Sequence, residues 1–164
     1  TLVGEDRAGL VSALADVVSD HGGNWERSEL AELAGAFAGI VLVSVPDDRE
    51  AALTNALGGL EGLLRITTHT PAAASDDRAD GAALTFTVLG NDRPGIVREV
   101  TRAISAHAAS IDSFRSRTLE APMAGGMLFE ATVTVRIPGD ADAATIIAEL
   151  ERLAGEIQVD LSLV

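Results

Sequence analysis

The chain predicts an α+β protein made of two tandem copies of one small module, each running strand–helix–strand–strand–helix–strand. Three observations carry this. Gly4-Glu5-Asp6-Arg7-Ala8-Gly9-Leu10-Val11 returns as Gly90-Asn91-Asp92-Arg93-Pro94-Gly95-Ile96-Val97, and Ser19 and His21 match Ser105 and His107 at the same shift of 86 residues. A repeat of this length is a whole small domain, not a solenoid unit. Apolar residues then alternate between the strand period and the helix period in the same order in both copies. Pro71 to Ala83, rich in Ala and Asp, has no apolar period and reads as a linker. The expected division is a domain over 1–70 with a truncated first strand, a linker over 71–83 and a second domain over 84–164.

The elements follow in order. Leu84-Thr85-Phe86-Thr87-Val88 alternates as a half-buried strand does. The first copy opens at Thr1-Leu2-Val3, without counterparts of Leu84 and Phe86 and without an initiator Met, so the natural protein is expected to begin a few residues earlier. Ile96, Val97, Val100 and Ile104 form one helical stripe, as do Leu10, Val11, Leu14, Val17 and Val18. His21-Gly22-Gly23 predicts a left-handed helix stop. Second strands are expected over about Trp25–Leu33 and Ile111–Leu119, third strands over Phe37–Val45 and Leu128–Ile137, closed by Pro46 and Pro138. The shift grows here by six, which assigns Ala121–Gly126 to a longer loop. A second helix from about Asp48 to Leu60 carries Leu53, Ala56, Leu57 and Leu60 on one face; its partner carries Ile146, Ile147, Leu150 and Leu153. Last strands are expected at about Leu63–His69 and Gln158–Val164.

This order with short connections is the split βαβ, ferredoxin-like pattern: an antiparallel four-stranded sheet with both helices on one face. Tandem copies can cover the other face by packing sheets together or by joining edges into one eight-stranded sheet.

Composition excludes several functions. Net charge is −13, and no basic cluster offsets it, so direct nucleic-acid binding and attachment to anionic membranes are both disfavoured. All twelve basic residues are Arg; there is no Lys, Cys or Tyr. Thiol nucleophiles, Schiff-base lysines, disulfides and thiolate metal sites are therefore absent. No apolar run is long enough to span a membrane, and no leader is visible, so a cytoplasmic location is expected. His21 and His107 recur at a helix end, where imidazole suits the negative dipole, and no carboxylate–histidine spacing suggests a metal. His69 carries no signal, and Trp25 reads as core or interface filler. No catalytic constellation and no cofactor motif is present, so the chain is not expected to be an enzyme.

The recurrent Asp-Arg-(Ala/Pro)-Gly lies between strand one and helix one. Structurally, Asp6 and Asp92 suit helix N-caps, Pro94 suits the first turn, and Gly9 and Gly95 suit close packing of the helix start on its strand. Functionally, a helix N-terminus offers free N–H groups and a positive dipole end to a carboxylate, while a nearby Asp can take an ammonium group. One loop thus has both partners an α-amino acid requires. Arg7 and Arg93 are expected to be solvated at the first turn.

With the helix-to-strand passages His21–Trp25 and His107–Ile111 and the strand Phe37–Pro46, these residues resemble the ACT-domain family, in particular its two-domain regulatory members typified by the glycine cleavage system transcriptional repressor. The resemblance spans nearly everything but the linker. It implies binding of a small metabolite, an amino acid such as glycine, at an interface between paired domains. The implied ligand residues are Gly4, Asp6, Arg7, Gly9 and Asn24, and in the second copy Gly90, Asp92, Arg93, Gly95 and Ser110. Ala8 stands where the family usually has Pro and Ser110 where Asn is common, which predicts two unequal sites. It further implies a homo-oligomer, such as a dimer, acting on a partner transcription regulator or enzyme. The other readings are a structural oligomerisation module and a detached regulatory subunit of an amino-acid or folate enzyme.

Overall fold

The computed structural model of the chain describes residues 1–70, 82–106, 109–121, 125–137, 143–157 and 159–163. Most of the expected linker, His107, Pro122–Ala124, Pro138, Gln158 and Val164 lie outside the described residues, as do the side chains of Ile146, Leu150 and Leu153. The chain divides into two compact units, Thr1–Ala72 and Ala73–Val164.

In the first unit the elements are β1 (Leu2–Glu5), α1 (Leu10–Asp20), β2 (Asn24–Leu33), β3 (Ala36–Ser44), a 3-10 turn (Asp47–Arg49), α2 (Glu50–Gly58) and β4 (Arg65–Ile66). In the second they are β5 (Ala82–Asn91), α3 (Ile96–Ala106), β6 (Ser110–Glu120), β7 (Met127–Ile137), α4 (Ala143–Ile157) and β8 (Val159–Leu163). The sheets have equivalent orders, β2-β3-β1-β4 and β6-β7-β5-β8, with all neighbours antiparallel. The ferredoxin-like α+β expectation holds in each unit.

Each unit has its own core. Leu10, Leu14 and Val18 of α1 and Leu53 and Leu57 of α2 pack on Leu2 and Leu64, with Trp25, Phe37, Val41 and Val43 half-buried around them. Ile96, Val100 and Ile104 of α3 pack on Phe86, Val88 and alternate residues of β7. Val11 and Val97, expected in the helical stripes, are 44% and 42% exposed instead, because helix position two faces away from the sheet in both copies.

The helix stop is as expected. Gly22 has φ +75°, its N–H donates to Ser19 O and the Gly23 N–H donates to Val18 O, both at 2.9 Å, the paired bonds of a Schellman motif. His21 Nδ1 donates to Val17 O at 2.9 Å in that last turn. Other boundaries differ. β5 begins at Ala82, so Ala82 and Ala83 are strand rather than linker. α2 starts two residues late, behind a 3-10 turn, and its continuation past Gly58 consists of i→i+3 turns through Leu63. Those turns consume residues expected in β4, which keeps only Arg65 and Ile66. The longer loop falls between Glu120 and Met127, where the first copy has only Ala34 and Gly35.

Candidate functional site

The β1–α1 and β5–α3 loops have the same build. Their Asp backbones are pinned to the start of the third strand: Asp6 N–H donates to Gly35 O at 2.9 Å, and Asp92 N–H to Met127 O at 2.8 Å. Three residues on, the chain turns through Gly9 at φ +90° and Gly95 at φ +93° before the helix begins. The left-handed conformation is what demands glycine here. The expected close packing is not the reason, since a Cβ on Gly9 would meet nothing within 4 Å. The Gly9 and Gly95 carbonyls accept the first helical bonds, from Ala13 and Glu99.

The expected Asp caps do not form. Gly9 is the N-cap of α1, no side chain caps that helix, and the intervening turn carries Asp6 three residues upstream. Asp92 holds the same place before Gly95, and Pro94 lies in the turn rather than in the first helical turn. The carboxylates of Asp6 and Asp92 are exposed and make no hydrogen bond or ion pair among the described residues. Both arginines are engaged. Arg7 pairs with Glu5 at 2.6 Å. Arg93 makes two bonds to Glu99, at 3.0 and 2.5 Å, which hold the Glu99 carboxyl below its usual range and raise Arg93.

Beside the first loop lies an open cleft of about 530 Å³, bounded by β1, the loop and the α2–β4 turns. Gly4 and Arg7 line it, joined by Glu61, Leu63 and Arg65, which sequence reasoning missed. Gly4 is there for space: a Cβ would stand 2.4 Å from Leu63 O, so any side chain would push the two walls apart. Arg65 and Glu61 make no ion pair among the described residues. The two copies differ at the strand position that supplies Arg65 to this cleft. Arg65 pairs in register with Val3, whereas Asp160 pairs with Leu89, the counterpart of Val3.

Asn24 and Ser110 do not join their loops. Asn24 pairs with Ser44 at the far end of β3, while Asp6 is tied to Gly35 just ahead of that strand. Nine residue steps separate the two places, roughly 30 Å along a strand. Ser110, opposite Arg136, is equally remote from Asp92 at Met127.

A second recurrent feature sits at these strand starts. The register slips between Trp25 and Arg27 and between Ile111 and Ser113, which leaves an acidic residue, Glu26 or Asp112, in a β-bulge of both copies. Glu26 accepts from Ser44 Oγ at 2.6 Å and from Asn24 Nδ2 at 2.8 Å, and these bonds lower its pKa, Ser44 first. Asp112 pairs instead with Arg136 at 2.5 Å. Two acids at the repeat shift of 86 were the available signal for this feature.

Among the described residues no group of His and carboxylates could hold a metal ion, and no helix is long and apolar enough to cross a membrane. Residues 1–70 and, separately, residues 85–155 match the ACT domain. The chain is 28% identical to the glycine cleavage system transcriptional repressor of Escherichia coli K12 over 99% of its own length and 86% of that protein's, and equally to the repressor of Shigella flexneri. The crystal structure of an unknown protein from Galdieria sulphuraria superimposes with a TM-score of 0.85 at 31% identity, over 99% of this chain and 93% of that one. The chain belongs to the ACT-domain family and carries two copies of the domain in tandem.

Proposed function

We propose, from its place in the ACT-domain family, that this chain is a non-catalytic sensor of a small amino acid such as glycine. It acts in the cytoplasm as a homo-oligomer and regulates a partner protein, a transcription regulator or an enzyme. The supporting observation is the duplicated loop: an exposed Asp carboxylate, unpaired among the described residues, three residues ahead of a helix start that no side chain caps in the first copy. The carboxylate suits the ligand's ammonium group, and the helix N–H groups suit its carboxylate. Val11 and Val97, exposed in both copies beside the loop, supply an apolar wall. A purely structural role for the loop loses its main support, because neither Asp caps its helix.

In this reading Gly4, Asp6, Arg7 and Gly9 form one half-site, in the first domain, and Gly90, Asp92, Arg93 and Gly95 the equivalent half-site in the second. Asn24 and Ser110 supply the other half from a second domain, since one amino acid cannot bridge about 30 Å within one sheet. The cleft lined by Arg7, Glu61 and Arg65 favours the first copy as the occupied one. Ligand-driven pairing then changes the partner's affinity by linkage. With a net charge of −13, control of transcription would run through the partner, not through contact with DNA.

Thermal denaturation with each of the twenty amino acids tests the proposal. A saturating ligand raises stability by about 2.7 kcal/mol at a hundred times its Kd. Asp6→Ala or Asp92→Ala should remove that rise while leaving the ligand-free melting unchanged. If no amino acid shifts the transition, the sensor reading fails.

A further inference from the structure

The ladder between β1 and β4 stops early, and it stops at the cleft. Thr1 N donates to Thr67 O at 2.8 Å and the Thr67 N–H donates to Thr1 O at 2.9 Å, so these two residues exchange bonds. Antiparallel alternation gives the next exchange to Val3 and Arg65, which are in register, and the one after it to Glu5 and Leu63. That last rung does not form. The Leu63 N–H donates instead to Leu60 O at 2.9 Å, within the turns that follow α2. The opposite edge of β1 confirms where Glu5 points. The Asp6 N–H bonds toward β3, at Gly35 O, so the neighbouring Glu5 turns its N–H and C=O the other way, into the cleft. Neither group makes a hydrogen bond among the described residues. Around them stand Arg65 and Glu61, exposed and without an ion pair among the described residues, and Val3 and Leu63, each 43% exposed.

We propose that this cleft receives one free aliphatic L-amino acid, which completes the missing rung of the sheet. It is strand addition reduced to a single residue. The ligand's ammonium group donates to Glu5 O, and its carboxylate accepts from the Glu5 N–H. A free amino acid also carries two charges that a chain residue lacks, and the cleft has a counter-charge for each: Arg65 for the carboxylate and Glu61 for the ammonium group. Ladder geometry then fixes the side chain. A residue opposite Glu5 shares the sheet face of Glu5 and Val3, so the ligand's side chain lies toward Val3 and takes an apolar wall. The D enantiomer would send its side chain to the face of Gly4, where even a Cβ would stand 2.4 Å from Leu63 O. The inference deepens the sensor reading, on which it rests for a free amino acid as the ligand, by naming the side-chain class and the receiving atoms. Asp6 and Gly9 do not line the cleft, so the two readings fail separately.

Isothermal titration calorimetry of the full chain with L-leucine as the probe tests this. D-leucine, leucinamide and N-acetyl-leucine should each bind at least about tenfold more weakly, because each loses the allowed face or one charge-assisted partner. Arg65→Asp installs the residue that the second copy has at the equivalent register position. It should weaken L-leucine at least about tenfold, as should Glu61→Gln, while Asp6→Ala binds L-leucine as the wild type does. Melting of the ligand-free variants checks that the fold is kept, and Arg65→Gln carries the same expectation without reversing a charge. L-leucine binding lost in Asp6→Ala and kept in Arg65→Asp would overturn the cleft and leave the loop as the receptor. Equal binding of the two enantiomers would overturn the rung. Binding of glycine but not of L-leucine would overturn this inference and leave the sensor reading standing, whereas no binding of any amino acid would overturn both.

Discussion

Single side chains set the electrostatics of the loops. Glu99 sits in the first turn of α3, where the positive helix end already favours a carboxylate, and Arg93 adds its two bonds. Its carboxyl is therefore held below the usual range, by Arg93 first. A depressed folded pKa contributes stability above the unfolded value of about 4.3 and loses it as pH falls through the folded one. Glu99→Gln should accordingly melt below the wild type at pH 7. The gap should persist above the unfolded value and close as pH falls through the lower folded one. Melting curves across that range check it, and a gap independent of pH would remove the ion pair as its source. Glu26 moves in the same direction, through Ser44 and Asn24, so acid weakens both halves of the chain at such points.

At the level of elements, the β2–β3 connection carries visible strain. Leu33 pairs with Ala36, leaving Ala34 and Gly35 as a two-residue hairpin turn with φ of +52° and +82°. Two successive positive φ values are the mark of a type I′ turn, which favours Asn-Gly. Gly35 takes this conformation freely and accepts no penalty, and its N–H is further held by Glu32 at 2.7 Å. Ala34 lacks that freedom, and a left-handed Ala costs about 1–2 kcal/mol. Ala34→Asn should stabilise the chain by about 0.5–1 kcal/mol in urea unfolding. No gain would mean that the turn relaxes in solution. This hairpin also bears on function, because the Gly35 carbonyl anchors Asp6.

The whole molecule is two cores on one chain. Among the described residues, none of the cluster around Leu14 belongs to the cluster around Val133. Leu14→Ala should cost about 2–5 kcal/mol and Val133→Ala somewhat less. Because the two clusters have no described residue in common, the double variant should lose the sum to within about 0.5 kcal/mol. Hydrogen exchange should show lost protection confined to the unit that carries each substitution. A sub-additive double variant would mean that the cores unfold as one.

Local sequence determined what local physics controls. Periodicity and the repeat set the element order, the helical stripes, the Gly22 stop and the six-residue loop, because these depend on neighbours within a turn or two. The duplicated loop was legible for the same reason. Cross-strand register decided the rest. It carried Asn24 and Ser110 to the far ends of their sheets, set Glu26 against Ser44 and Asp112 against Arg136, and brought Leu63 against Gly4. It also assembled Ile40, Leu42 and Val3 into one exposed face in the first copy alone. Such contacts join residues tens of positions apart, so only the folded chain could place them.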